Sequence, residues 1–182
     1  VDTDFSAAAI VIGGPNGKHV RALTHPASGV VDIDAQISPN GRNVLYERDL
    51  PDGSSRIGLV NSDGSGDHLI NLGCTDLCLG DLTPAFTPDG RHLIWTRVAG
   101  PVDQFGNAAS VVLWKAKLDG GHRQRFSQPG IDGTFEDYRA RFAPGGYLIF
   151  ERLRDSDQDQ AVFRMTPNHR HIRRLTPWAL DA

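Results

Sequence analysis

The stretch Ala35-Gln36-Ile37-Ser38-Pro39-Asn40-Gly41-Arg42-Asn43-Val44-Leu45-Tyr46-Glu47-Arg48 decides the architecture, because the chain writes it twice more. The second copy is Ala85-Phe86-Thr87-Pro88-Asp89-Gly90-Arg91-His92-Leu93-Ile94-Trp95-Thr96-Arg97. The third is Ala140-Arg141-Phe142-Ala143-Pro144-Gly145-Gly146-Tyr147-Leu148-Ile149-Phe150-Glu151-Arg152, one residue shorter at the turn. In each, a strand ends at Ser, Thr or Ala before Pro, because proline fixes φ and takes its N–H out of any ladder. Asn-Gly, Asp-Gly or Gly-Gly then makes the tight turn, with glycine supplying the positive φ. The following strand ends on an aromatic residue at a constant site, Tyr46, Trp95 or Phe150, placed to pack between neighbouring units.

Outward from this hairpin, each copy continues in the same order. A polar loop leads to a third apolar strand: Ile57-Gly58-Leu59-Val60, Val111-Val112-Leu113-Trp114, or Ala161-Val162-Phe163-Arg164-Met165. A turn and a more polar fourth strand follow, ending at Leu72, Phe126-Ser127 or Leu175-Thr176. The segment Ala8-Ala9-Ile10-Val11-Ile12, Pro15-Asn16-Gly17 and Val20-Arg21-Ala22-Leu23-Thr24 reads as the third and fourth strands of one further copy. A period of this length marks repeat architectures in which four-stranded units stack around a ring. The expected fold is therefore all-β: a β-propeller of three complete four-stranded blades plus an N-terminal half blade. The half blade covers 7–24, and the blades cover 32–73, 81–127 and 134–176. Three and a half blades fall short of the about four to eight that close a ring. The expectation is a piece of a six- or seven-bladed parent, or a homodimer in which two chains complete the ring.

The motifs Ser38-Pro39-Asn40-Gly41-Arg42 and Thr87-Pro88-Asp89-Gly90-Arg91, the turn Asp63-Gly64-Ser65-Gly66 and the Leu-Thr ending resemble the blade repeat of TolB-like (WD-repeat-like) β-propellers. That repeat is shared with the N-terminal propellers of prolyl-oligopeptidase relatives. The resemblance runs from about residue 7 to 176 and departs at Ala143-Pro144-Gly145-Gly146 and Thr166-Pro167-Asn168. It implies a non-catalytic scaffold that docks a protein or peptide in the bacterial envelope, in a periplasmic or extracellular setting. The alternatives it leaves are a small-molecule or sugar-binding propeller of the lyase type, and the gating propeller of a peptidase.

Composition agrees with many short strands: 20 Gly and 11 Pro stand against one Met, and no segment has a sustained helical period. No stretch nears the roughly 20 apolar residues of a membrane-spanning helix, so membrane insertion is not expected. A net charge of −3 argues against nucleic acid, and the basic cluster Arg170-His171-Ile172-Arg173-Arg174 reads as a solvated outer strand. The chain opens at Val1 with no apolar signal segment, as a mature or trimmed product would. Cys74 and Cys78 stand close together in a loop, which favours a small disulfide in an oxidising compartment, with free thiols as the alternative.

No catalytic, cofactor or metal site is expected. His19, His68, His122 and His171 each precede a closing Leu23, Leu72, Phe126 or Leu175 by the same spacing, so they form one repeated outer-strand position that cannot converge on an ion. Asp155-Ser156-Asp157-Gln158-Asp159-Gln160 imitates half a calcium loop but lacks its glycine and closing glutamate. No Gly-x-Ser-x-Gly element is present. Because the first strand of a blade lines the central channel, Asp32, Asp34, Asp81, Thr83, Glu136 and Tyr138 are the candidate channel-facing residues.

Overall fold

A computed structural model describes residues 7–102, 108–127, 135–154, 156, 158–166 and 171–178. Fifteen strands occur among them. The N-terminal unit contributes β1 (Ala7–Ala8), β2 (Val11–Ile12) and β3 (Arg21–Ala22). The next is β4 (Val30–Ile37), β5 (Asn43–Asp49), β6 (Ser55–Asn61) and β7 (His68–Leu69). After it come β8 (Cys78–Phe86), β9 (His92–Val102), β10 (Ala108–Lys117) and β11 (Gln124–Arg125). The last is β12 (Phe135–Phe142), β13 (Leu148–Arg154), β14 (Asp159–Met165) and β15 (Ile172–Arg174). Each set of four is an antiparallel meander, and β2–β3 is the matching outer half of another. These are three propeller blades and a half blade. Successive units are stitched where a third strand starts parallel to the next first strand: Ala7 beside Val30, and Ser55 beside Gly80.

The period of two along each strand builds the core between blades. On β5, Val44 and Tyr46 face back to Ile10 and Leu23 of the half blade, whereas Leu45 faces forward to Phe86, Leu93 and Trp95. Ile94 and Leu113 then meet Leu148, Phe150, Phe163 and Met165 of the last blade. Each such large side chain contributes about 1.5–3 kcal/mol on burial. The repeated aromatic site is therefore an interblade packing site, and Tyr46, Trp95 and Phe150 are all fully buried.

Side chains shape the turns. The Asn40 side chain accepts from Arg42 N, and Asp89 does the same for Arg91 N. Where the third copy lacks this Asn or Asp acceptor, Pro144–Gly146 forms a single 3-10 turn with Gly145 at φ 82°.

The outer strands correct one alignment. Leu23 N, Ile70 N, Phe126 N and Leu175 N donate to Ile10 O, Ile57 O, Leu113 O and Val162 O, so the closing residue of the second unit is Ile70, not Leu72. The equivalent of His19 and His122 is thus Gly66, and all three have positive φ. His68 lies two residues further on. All four histidines are exposed on outer strands or their approaches.

Candidate functional site

Cross-strand register repeats one Asp–Arg ion pair in every complete blade. Asp32 opposes Arg48, Asp81 opposes Arg97, and Asp137 opposes Arg152. Every pair is bidentate: Nε–Oδ1 is 2.6, 2.7 and 2.6 Å, and Nη2–Oδ2 is 2.8, 2.8 and 2.9 Å. Each guanidinium lies over the repeated aromatic ring, 5.1 Å from Tyr46, 5.5 Å from Trp95 and 5.4 Å from Phe150. The Trp95 indole N–H donates to Asp81 at 2.7 Å, and Arg97 also donates to Leu72 O.

These pairs correct part of the expected channel set. Asp32 and Asp81 are buried, with their oxygens taken by arginine, so they brace the blades and do not face an open channel. The residue equivalent to them in the last blade is Asp137, not Glu136. A one-residue slip exchanges the faces of a strand, and Glu136 and Tyr138 instead hydrogen-bond to each other. The signal was available: Asp32, Asp81 and Asp137 each stand seven residues before Pro39, Pro88 and Pro144.

Asp34, Thr83 and Arg139 occupy the other shared position. The register of the first strand breaks there in every blade, and their φ values are 51°, 50° and 48°. Left-handed backbone at a β-branched threonine costs on the order of 1–3 kcal/mol, and bulges of this kind re-aim side chains beside functional sites. The three bulges come together. Thr83 N donates to Glu47 Oε2 at 2.8 Å, the Thr83 and Thr96 hydroxyls meet at 3.1 Å, and Arg141 Nη1 donates to Thr83 O at 3.3 Å. Arg139 pairs with Glu151 at 3.1 Å. Burial lowers the Arg141 guanidinium from its ordinary value, against the pull of Asp34 and Glu151. The result is a belt of mixed charge in which Asp34 and Arg139 are exposed and Glu47 is buried.

Glu47 is pushed up to about 7, chiefly by burial, with Asp49 and Asp34 adding to the shift and the Thr83 N–H opposing it. Its folded value exceeds its ordinary one, so the neutral carboxyl stabilises the fold fully below about pH 4.5, and that contribution is lost as pH rises to about 7. Glu47→Gln is expected to be more stable than wild type at pH 8, by about 2 kcal/mol after allowance for water on the channel side, and near parity at pH 4.5. Urea unfolding of both proteins at the two pH values checks it. An equal difference at both would refute the buried-carboxyl account.

Cys74 and Cys78 form a disulfide, with Cα atoms 5.1 Å apart, that ties the loop after β7 to the first residue of β8. Among the described residues, the only three metal-ligand side chains that come together are Cys74, Cys78 and Asp81. Two of those ligands are consumed by the disulfide and the third by Arg97. Of the calcium-like stretch, Asp155 and Asp157 lie outside the described residues, as do Arg170 of the basic cluster and Thr134 at the start of the last expected blade, while Asp159 pairs with Arg154 at 3.1 Å. No helix among the described residues is long and apolar enough to cross a membrane.

Four-stranded blades, each braced internally by a buried Asp–Arg pair, define a β-propeller. The structure is similar to TolB from Acinetobacter baumannii at TM-score 0.63 and 19% identity, covering 93% of this chain and 37% of that one. It is also similar to a prolyl endopeptidase at TM-score 0.62 and 17% identity, covering 90% and 25%. A third likeness, to a protein described as a putative dipeptidyl aminopeptidase IV from Bacteroides ovatus, has TM-score 0.58 and 12% identity over 87% and 31%. The chain thus spans between a quarter and just over a third of the length of these proteins. No protein-family model and no curated protein matches the sequence. At these identities the likeness establishes the fold: a TolB-like β-propeller.

Proposed function

We propose that the chain is a non-catalytic propeller scaffold that docks a protein or peptide at the belt formed by Asp34, Thr83 and Arg139, in the periplasm or outside the cell. The observation that carries the reading is the repetition of a strained, non-glycine bulge on three adjacent inner strands. It aims an acid, a hydroxyl and a base at the same belt, with backbone and side-chain hydrogen-bonding groups interleaved. A belt of both signs suits the alternating donors and acceptors of a polypeptide better than it suits a polyanion. The Cys74–Cys78 disulfide and the TolB-like fold support an oxidising, extracytoplasmic setting. In the intact assembly, further blades or a second copy of the chain complete the ring.

The test selects peptides that bind the chain from a displayed random library and measures them against Asp34→Arg and Arg139→Glu. These two positions are exposed, so the fold tolerates the changes. Affinity is expected to fall tenfold or more for either variant. Binders that ignore both substitutions would place the docking surface elsewhere and overturn the assignment.

A further inference from the structure

Arg141 uses its guanidinium differently from the three arginines that brace the blades. In Arg48, Arg97 and Arg152 the edge formed by Nε and Nη2 grips an aspartate. Arg141 employs only Nη1, which donates to Ala140 O at 2.9 Å and to Thr83 O at 3.3 Å. Among the described residues no protein acceptor meets its Nε or Nη2, and it joins no carboxylate in an ion pair. The one buried side-chain nitrogen or oxygen without a partner among these residues is His92 Nδ1, so the free edge of the half-buried Arg141 reaches solvent. Burial disfavours its charge, a cost that a carboxylate on the free edge would offset. Asp34 is exposed, lies within electrostatic reach of Arg141 and accepts no hydrogen bond among the described residues. Arg139 and Glu151, by contrast, pair with each other. The belt thus holds one base and one acid that lack bonded counter-ions.

Resting on the docking reading above, we propose that Arg141 sets the specificity of the belt: its Nε and Nη2 edge takes the side-chain carboxylate of an aspartate or glutamate in the docked peptide. A guanidinium offers a carboxylate this planar two-point contact, and the chain already uses the same edge for Asp32, Asp81 and Asp137. The source is an internal acid and not a chain terminus. Terminal carboxylates are captured by backbone N–H groups gathered in a nest, whereas the bulge N–H of Thr83 is already given to Glu47. Asp34 then suits a lysine or arginine close to that acid in the peptide. Asp34 and Glu151 together also repel a run of acids, so a peptide of alternating sign is favoured over a polyanion.

The experiment selects linear peptides on the full chain from a random library whose C-termini are joined to the display carrier, so that only side-chain carboxylates are offered. A second library with free C-termini runs beside it, and fluorescence anisotropy measures the binders. The selected sequences are expected to share an Asp or Glu with a Lys or Arg nearby. Replacing that acid by its amide in the peptide, or Arg141→Gln in the chain, is expected to weaken binding about tenfold or more, and the two together little further. Gln36 stands at the equivalent place in the first complete blade, paired with Leu45 as Arg141 is with Ile149, so the strand accommodates glutamine. The peptide substitution reads the same contact on the unaltered protein. Binders that need Asp34 and Arg139 but ignore Arg141→Gln overturn this assignment and leave the docking belt standing. So do binders that come only from free C-termini and are lost on amidation. Binders indifferent to all three positions, or no binders at all, overturn both.

Discussion

Asp81→Ala is expected to cost about 3–5 kcal/mol, a large part of the 5–15 kcal/mol that holds an ordinary domain folded. The carboxylate receives three N–H groups, from Arg97 Nε, Arg97 Nη2 and Trp95 Nε1. Without it, a guanidinium enclosed by Trp95 and Trp114 keeps only Leu72 O, and a buried indole N–H has lost its acceptor. Asp32→Ala should cost less, because Arg48 is more exposed than Arg97 and retains Asp67 at 3.4 Å. The penalty belongs to the orphaned charge, so Asp81→Leu with Arg97→Met should recover most of it. Urea unfolding at pH 7 ranks the variants. A loss below about 1 kcal/mol for Asp81→Ala, or no recovery in the double variant, contradicts the account.

The hairpins were legible because their signals are local: a proline that ends a strand, a glycine that turns it and an aromatic residue at fixed spacing each act through their own backbone or next neighbour. The ion pairs were half legible. Asp32 and Asp81 stood out as first-strand acids expected to face the channel, but their partners lie 16 residues on, and only the register reveals that Arg48 and Arg97 neutralise them. The same lack of register allowed Glu136 to stand in for Asp137. His68 was misaligned because spacing was counted to Leu72 when hydrogen bonding closes the unit at Ile70. Neither the belt nor the bulges could be read. A threonine at φ 50° has no sequence signal, and the approach of Glu47 to Thr83 joins residues from different blades.

Gly58→Ala should be the second severe change, although a single methyl on a strand is usually harmless. Gly58 opposes Tyr46, and a Cβ at Gly58 would stand 2.0 Å from Tyr46 Cζ and 2.5 Å from Cε1. In the other two blades the same place is aromatic against aromatic, Trp114 with Trp95 at 6.3 Å and Phe163 with Phe150 at 5.9 Å. Here the tyrosine lies flat across a residue that has no side chain. It cannot move freely, because its hydroxyl donates to Asp67, its ring supports Arg48 and it packs against Ile10 and Leu23 of the half blade. Overpacking in such a core costs about 1–3 kcal/mol, and the lost hydrogen bond adds about 1 kcal/mol. Because the clash is with one ring, Gly58→Ala and Tyr46→Leu should be strongly non-additive. The double variant is expected to be more stable than the summed single losses predict, by 1 kcal/mol or more in a double-mutant cycle. Additive losses would mean that the glycine is needed for its backbone alone.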